Sequence, residues 1–244
     1  MSDNLVVILE CVMVTMEGAF AKLSGGCCWC CLMPLFASEQ HGFCRACFRD
    51  LPRLPPSCLH WRGASRALPH TRYWFAALAW RSMSRQLVYS YKFQRRPELA
   101  RWLAPLLSAQ VMACYQKYQA RWPDVVVAMP MTRRRWRKRG FNQAGLLAEQ
   151  VAKQVQLPYA VGLLRRLRDE EQQHQLNRQQ RWQRMQQAFH CTRDMKGLRV
   201  ALVDDVLTSG ASVTAAAAAM RRRGARAVDV WTLCYTEPHQ LGEA

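Results

Sequence analysis

This sequence lacks the long apolar run of a membrane span. Its N-terminal stretch Leu5-Val6-Val7-Ile8-Leu9 is broken by Glu10, far short of the roughly 20 residues that cross a bilayer. A basic segment ahead of that run is missing too. Asp3 is the one charge before it and no small-x-small cleavage site follows, which argues against a secretory signal. Residues 1–26 therefore read as a tail or an over-long start, with Met13 or Met16 as alternative initiators; a weak interfacial anchor is the competing reading. Stable membrane insertion is not expected, and a cytoplasmic location is. Acidic residues are scarce as well: 17 Asp and Glu stand against 35 Lys and Arg, a net charge of +18. Such an excess points to polyanionic partners, namely nucleic acid, phosphorylated metabolites or an acidic membrane surface.

What is present bounds the rest. The 244 residues suit one ordinary domain with a small appendage, or two modest domains. With 50% hydrophobic and 10% aromatic residues a real core can be buried, which excludes wholesale disorder. Eleven cysteines are an odd number concentrated near the N-terminus. That distribution fits metal binding in a reducing compartment better than a disulfide scaffold.

Pattern along the chain separates three regions: the tail, a Cys-, Pro- and Gly-rich segment over residues 27–70, and an α/β domain over 71–244. Strands are expected at Trp74 to Leu78, Asp124 to Met129, Arg199 to Val203 and Ala227 to Cys234. Helices are expected at Ser84 to Lys92, at Pro97 to Tyr118, after Gly140 with Ala144, Leu147, Ala148 and Val151 inward, and from Ala215 to a stop at Gly224. Glu170 to Gln187, dense in Gln and Arg, reads as a polar helix or long excursion. Strands alternating with helices imply a mostly parallel sheet.

Two C-x-x-C knuckles, Cys28/Cys31 and Cys44/Cys47, supply four thiolates with the spacing of a closed, structural zinc site. In a segment this poor in core, metal binding would double as folding free energy. Cys27/Cys30 overlaps the first knuckle, so the choice of pair stays open. Cys58 has Trp61 where a partner cysteine would stand. Cys11, Cys114, Cys191 and Cys234 lie among apolar residues and read as buried thiols.

The sharpest feature is VALVDDVLTSGAS, Val200 to Ser212. An apolar strand ends in Asp204 and Asp205, and Thr208-Ser209-Gly210-Ala211-Ser212 opens a helix. This loop offers backbone N–H groups and hydroxyls to one anion beside the positive end of a helix dipole, and Gly210 clears the approach. Two acids beside a phosphate cradle would repel it unless they address something else. Ribose hydroxyls, directly or through magnesium, fit that need.

The segment resembles the signature of type I phosphoribosyltransferases, which bind 5-phosphoribosyl 1-diphosphate (PRPP) with magnesium. By that resemblance Asp204 and Asp205, the catalytic candidates, face the ribose 2- and 3-hydroxyls and Thr208 to Ser212 hold the 5-phosphate. Ser209 and Ser212 replace the usual threonines and keep their hydroxyls. Further segments resemble the ComF/GntX family: Met129 to Glu149 with Arg139-Gly140-Phe141-Asn142-Gln143, Tyr91 to Ala100, and Arg166, Arg168, Gln173, Leu176, Arg181 and Ala188-Phe189. Glu170 and Arg184 depart from its usual threonine and asparagine, and only Cys58 remains of its further cysteine pairs, which implies one zinc.

Arg133, Arg134, Arg135, Arg137, Lys138 and Arg139 follow the strand that ends at Met129-Pro130. They suit a diphosphate leaving group or single-stranded DNA, with Trp136 or Phe141 for stacking, and equally a solvated loop. Two function classes follow. The resemblance implies a protein of DNA uptake (competence) or DNA utilisation, partnered by DNA-uptake or helicase components. The alternative is an active phosphoribosyltransferase of nucleotide metabolism without DNA contact. A zinc-containing regulator of RNA has no motif of its own here.

Overall fold

The computed structural model describes residues 26–36, 39, 42–61, 68–167 and 188–236. Their elements, in chain order, are α1 (Arg45–Asp50), β1 (Trp74–Ala79), α2 (Ser82–Phe93), α3 (Leu99–Tyr118), β2 (Val125–Ala128), α4 (Arg133–Arg139), α5 (Gln143–Gln154), β3 (Leu164–Arg166), β4 (Phe189–Cys191), β5 (Arg199–Leu207), α6 (Ala211–Arg222) and β6 (Ala227–Tyr235), with a short 3-10 turn at Leu59–Trp61. Four strands form one sheet in the order β1-β6-β5-β2, and every pairing in it is parallel. The expected α/β class with a parallel sheet flanked by helices is what the chain adopts.

Strand alternation builds two cores, one on each face. Phe75, Ala77, Ala201, Val203 and Trp231 pack against Leu103, Leu107 and Val111 of α3 and Leu147, Ala148 and Val151 of α5. Trp74, Ala76, Val200, Leu202 and Val230 pack against Ala215, Ala216, Ala219 and Met220 of α6. Burial on both faces is why these strands read as continuous apolar runs rather than alternating ones. The alanines of α6 let that helix lie close to the sheet.

The cysteine segment joins the first core. Leu35, Phe43 and Leu51 belong to the same buried cluster as Phe75 and Leu103. Leu54 N–H donates to Ala77 O at 2.9 Å and Ala79 N–H to Pro52 O at 2.8 Å, so residues 52–54 cover the outer edge of β1. An open strand edge is a liability, and this one is closed by the chain's own N-terminal part.

At the amino end of the sheet, Asp229 is 1% exposed. It accepts from Arg72 Nε at 2.8 Å and from the Tyr115 hydroxyl, tying the start of β1, α3 and β6 together. The β3–β4 hairpin, paired antiparallel from Leu164↔Cys191 to Arg166↔Phe189, was not among the expected strands. Three-residue strands carry too little periodicity to be read. Residues 1–25, with Cys11, and 168–187, with Arg168, Glu170, Gln173, Leu176, Arg181 and Arg184, lie outside the described residues.

Candidate functional site

β5 continues past the expected end at Val203 to Leu207, because its pairing with β6 runs on through Asp204↔Thr232, Val206↔Cys234 and Leu207↔Tyr235. The acid pair therefore sits inside the last turn of pleat rather than after it. α6 begins at Ala211, ahead of the expected Ala215, so Ala211 and Ser212 are helical first-turn residues. Gly210 is the N-cap at φ +74°, with no side-chain cap hydrogen bond. The chain must turn left-handed there, and glycine does so without the cost a side chain would add. The start of α6 thus faces the cleft with its positive dipole end.

One cleft collects Asp204, Asp205 and Thr208 to Ser212 on one wall and Arg135, Arg139 and Asn142 on another. All seven residues of the expected acid-and-loop motif line it. The basic run is split. It forms α4, where a solvated loop was one of the expectations. Thr132 caps the helix by accepting from Arg135 N–H at 3.4 Å, and Gly140 ends it at φ +86°, donating to Trp136 O. Helical spacing puts Arg135 and Arg139 on one face, toward the acids. Arg133 and Trp136 instead line a second, mostly apolar cleft with Tyr159 and Val161. Arg134, Arg137 and Lys138 are exposed and line neither cleft.

Two basic cleft residues escaped the sequence reading of the site. Lys92, at the end of α2, pairs with Asp205 Oδ1 at 2.9 Å. Arg166, on β3, lines the cleft with its guanidinium 5.3 Å from the Phe189 ring centroid. Both belong to segments singled out by resemblance, yet no local spacing ties either to the acid pair.

Electrostatics distinguish the two acids. Burial, and then the neighbouring Asp205 charge, push Asp204 up to about 7, while Lys92 and the Asp205 backbone N–H pull it down. Asp205 N–H donates to Asp204 Oδ1 at 2.9 Å.

The cysteine cluster shares no residue with this cleft. Sγ atoms of Cys28, Cys31, Cys44 and Cys47 lie within 4.8 Å of one another, a group that can hold a metal ion. The Cys31–Cys44 sulfur separation is 3.7 Å. That is close to the edge of a tetrahedron with metal–sulfur bonds of about 2.3 Å, as zinc makes. Cys44 also caps α1, accepting from Cys47 N–H at 3.5 Å. Burial pushes the Cys28 thiol up, but N–H groups of Cys31, Cys44 and Cys30 outweigh it and bring it down to about 7. Cys30, by contrast, is pushed up to about 12, chiefly by burial. Of the overlapping knuckles, Cys28/Cys31 is thus the pair brought to the cluster. Cys58, Cys114, Cys191 and Cys234 are buried thiols outside it.

Among the described residues no helix is long and apolar enough to cross a membrane. The phosphoribosyl transferase domain model matches residues 137–243. DNA utilization protein YhgH of Salmonella typhimurium is 33% identical over 223 residues, covering 86% of this chain and 97% of that protein. Competence protein F of Haemophilus influenzae is 30% identical over 150 residues, 60% of this chain and 66% of that one. Competence protein ComFC of Bacillus subtilis is 26% identical over 233 residues, 92% of this chain and 84% of that one. A relative matched at that identity across almost its whole length shares the fold and the descent, and the chain belongs to the ComF/GntX family, with a phosphoribosyltransferase domain behind its cysteine cluster.

Proposed function

We propose that the cleft at the carboxyl edge of β5 binds magnesium-PRPP, and that the protein acts in the uptake or utilisation of external DNA. The observation that carries the pocket is convergence. A phosphate-sized loop at a helix start, an acid pair and two arginines meet in one cleft, although α4 and β5 are distant in sequence. The Thr208 to Ser212 loop holds the 5-phosphate. The acid end of β5 addresses the ribose hydroxyls, and Arg135 and Arg139 stand where a diphosphate would lie. Magnesium, when bound with the diphosphate, neutralises part of its charge. The relatives' names, which speak of DNA utilization and competence, support the biological role.

In this reading residues 27–70 form the zinc-held module and 71–244 the sugar-phosphate domain. Zinc sits in the Cys28, Cys31, Cys44 and Cys47 tetrad with no open position, a structural role. The outward cations Arg134, Arg137 and Lys138, with Arg133 beside the exposed Trp136, suit a single strand of DNA tracked by its phosphates. A reducing cytoplasm fits both the thiolates and PRPP.

Calorimetry with magnesium and PRPP tests the pocket. Wild type should bind, and Asp204→Asn, Asp205→Asn should not. Equal affinity in both would overturn the assignment.

A second reading is favoured by Arg135 and Arg139 facing the acids: the domain is an active phosphoribosyltransferase. Diphosphate would leave the anomeric carbon and a nitrogen nucleophile would attack a cation-like centre, with positioning and electrostatics supplying most of the rate. Diphosphate release from PRPP, screened against bases and amines, decides it. Turnover with one acceptor establishes the enzyme.

A further inference from the structure

The two carboxylates at the end of β5 are not equivalent, and the difference comes from a residue outside the motif. Both acids line the cleft, but Asp204 is half-buried whereas Asp205 is buried. Asp205 is 6% exposed and meets Lys92 Nζ at 2.9 Å.

Lys92 lies between two residues with tertiary contacts of their own. Its predecessor Tyr91 is fully buried and donates its hydroxyl to Gln143 O at 2.8 Å. Its successor Phe93 lies under the Arg139 guanidinium, 5.0 Å from the ring centroid. Tyr91 from α2, Arg139 from α4, Cys234 from β6 and Asp204 from β5 also face Asp205 electrostatically. Arg139 donates to Gln143 Oε1 at 3.1 Å. Lys92 is the cation that the described contacts place on Asp205 itself.

We infer that Lys92 is a positioning residue: by pairing with Asp205 it fixes one carboxylate within the protein and leaves Asp204 as the one that meets the sugar hydroxyls. An ionised carboxylate this buried needs a partner, and truncating one side of such a pair leaves the other uncompensated. Lys92 thus acts on the sugar through the acid pair, whereas the Thr208 to Ser212 loop acts on the phosphate directly. The inference rests on the sugar-phosphate reading of the cleft.

Calorimetry on the full chain, with ribose 5-phosphate and with inorganic phosphate, separates the two. Lys92→Met should weaken ribose 5-phosphate about tenfold while changing inorganic phosphate less than about twofold. Lys92→Arg should restore binding to within about threefold of wild type, since the charge returns. In an Asp205→Asn background, Lys92→Met should add no further loss, and this neutral pair also serves as the folded control if the single variant is unstable. Equal weakening of both ligands would mean that Lys92 touches the phosphate itself and would overturn the inference. Additive losses, or no loss, would do the same. Failure of the wild type to bind ribose 5-phosphate would instead overturn the sugar-phosphate reading, and this inference with it.

Discussion

A β-carbon placed on Gly210 would lie 2.4 Å from Cδ2 of Leu68. The same glycine is at φ +74°, so the Thr208 to Ser212 loop is constrained twice, by its backbone and by a side chain from the segment that precedes β1. Leu68 is itself buried in the core on the α6 face. Gly210→Ala should therefore cost about 1–2 kcal/mol in chemical denaturation, from the left-handed backbone alone. It should also weaken phosphate binding by moving the loop. Adding Leu68→Ala should relieve the contact but recover neither the backbone cost nor full affinity. Full recovery in the double variant would show that contact, not conformation, selects the glycine.

Asp204 should make the stability of the fold depend on pH. Its carboxyl rises from 3.8 in the unfolded chain to about 7 in the fold, through burial first and Asp205 second. A raised acid favours folding in its neutral form. Below about 4 both states are protonated and ionisation costs nothing; as pH rises toward 7 the folded state increasingly bears that cost, which is complete above it. Stability should fall across this window, and Asp204→Asn should flatten the fall. Melting temperatures of both proteins at pH 5.5 and pH 8 measure the difference; parallel curves would remove Asp204 as the cause.

Arg72 and Asp229 should matter for stability and not for ligand binding. They lie 157 residues apart in sequence and at the amino end of the sheet, away from the cleft. Arg72→Met leaves the buried Asp229 carboxylate, among the described residues, with the Tyr115 hydroxyl and no cation, at a cost of about 3 kcal/mol. Urea titration reads that loss, while PRPP affinity of the folded variant should stay within about twofold of wild type.

The four-cysteine cluster should contain about one zinc per chain. Cys44→Ser should abolish the metal and loosen residues 27–54, seen as rapid local proteolysis, because the ion is lost while the serine hydroxyl still caps α1. Cys58→Ser should retain the metal. Zinc retained at one equivalent after Cys44→Ser would remove Cys44 from the ligand set.

The two faces of α4 should separate by ligand. Arg135→Gln with Arg139→Gln should weaken PRPP about tenfold. Arg134→Gln, Arg137→Gln and Lys138→Gln together should leave PRPP unchanged and lower the salt dependence of single-stranded DNA binding by about two log units per log unit of salt. Loss of both ligands in either set would show a single shared surface.

Local order was legible because it is contiguous. Val200 to Ser212 carries strand, acid pair, glycine turn and helix start within one stretch, each residue chosen by its own backbone position or charge. The cysteine knuckles are likewise short-range, and the parallel sheet follows from apolar runs that need burial on both faces. Folding alone decided the rest. The pairing of Lys92 with Asp205 depends on where the end of α2 lies relative to β5, and no local spacing encodes it. The division of the basic run into cleft-facing Arg135 and Arg139 and outward Arg134, Arg137 and Lys138 required a helix, set by Thr132 and Gly140, to be docked beside the acids. The +18 charge was fixed by composition; which cations face the cleft and which face solvent was set by packing, because a charge acts only through the distance and burial that the fold imposes.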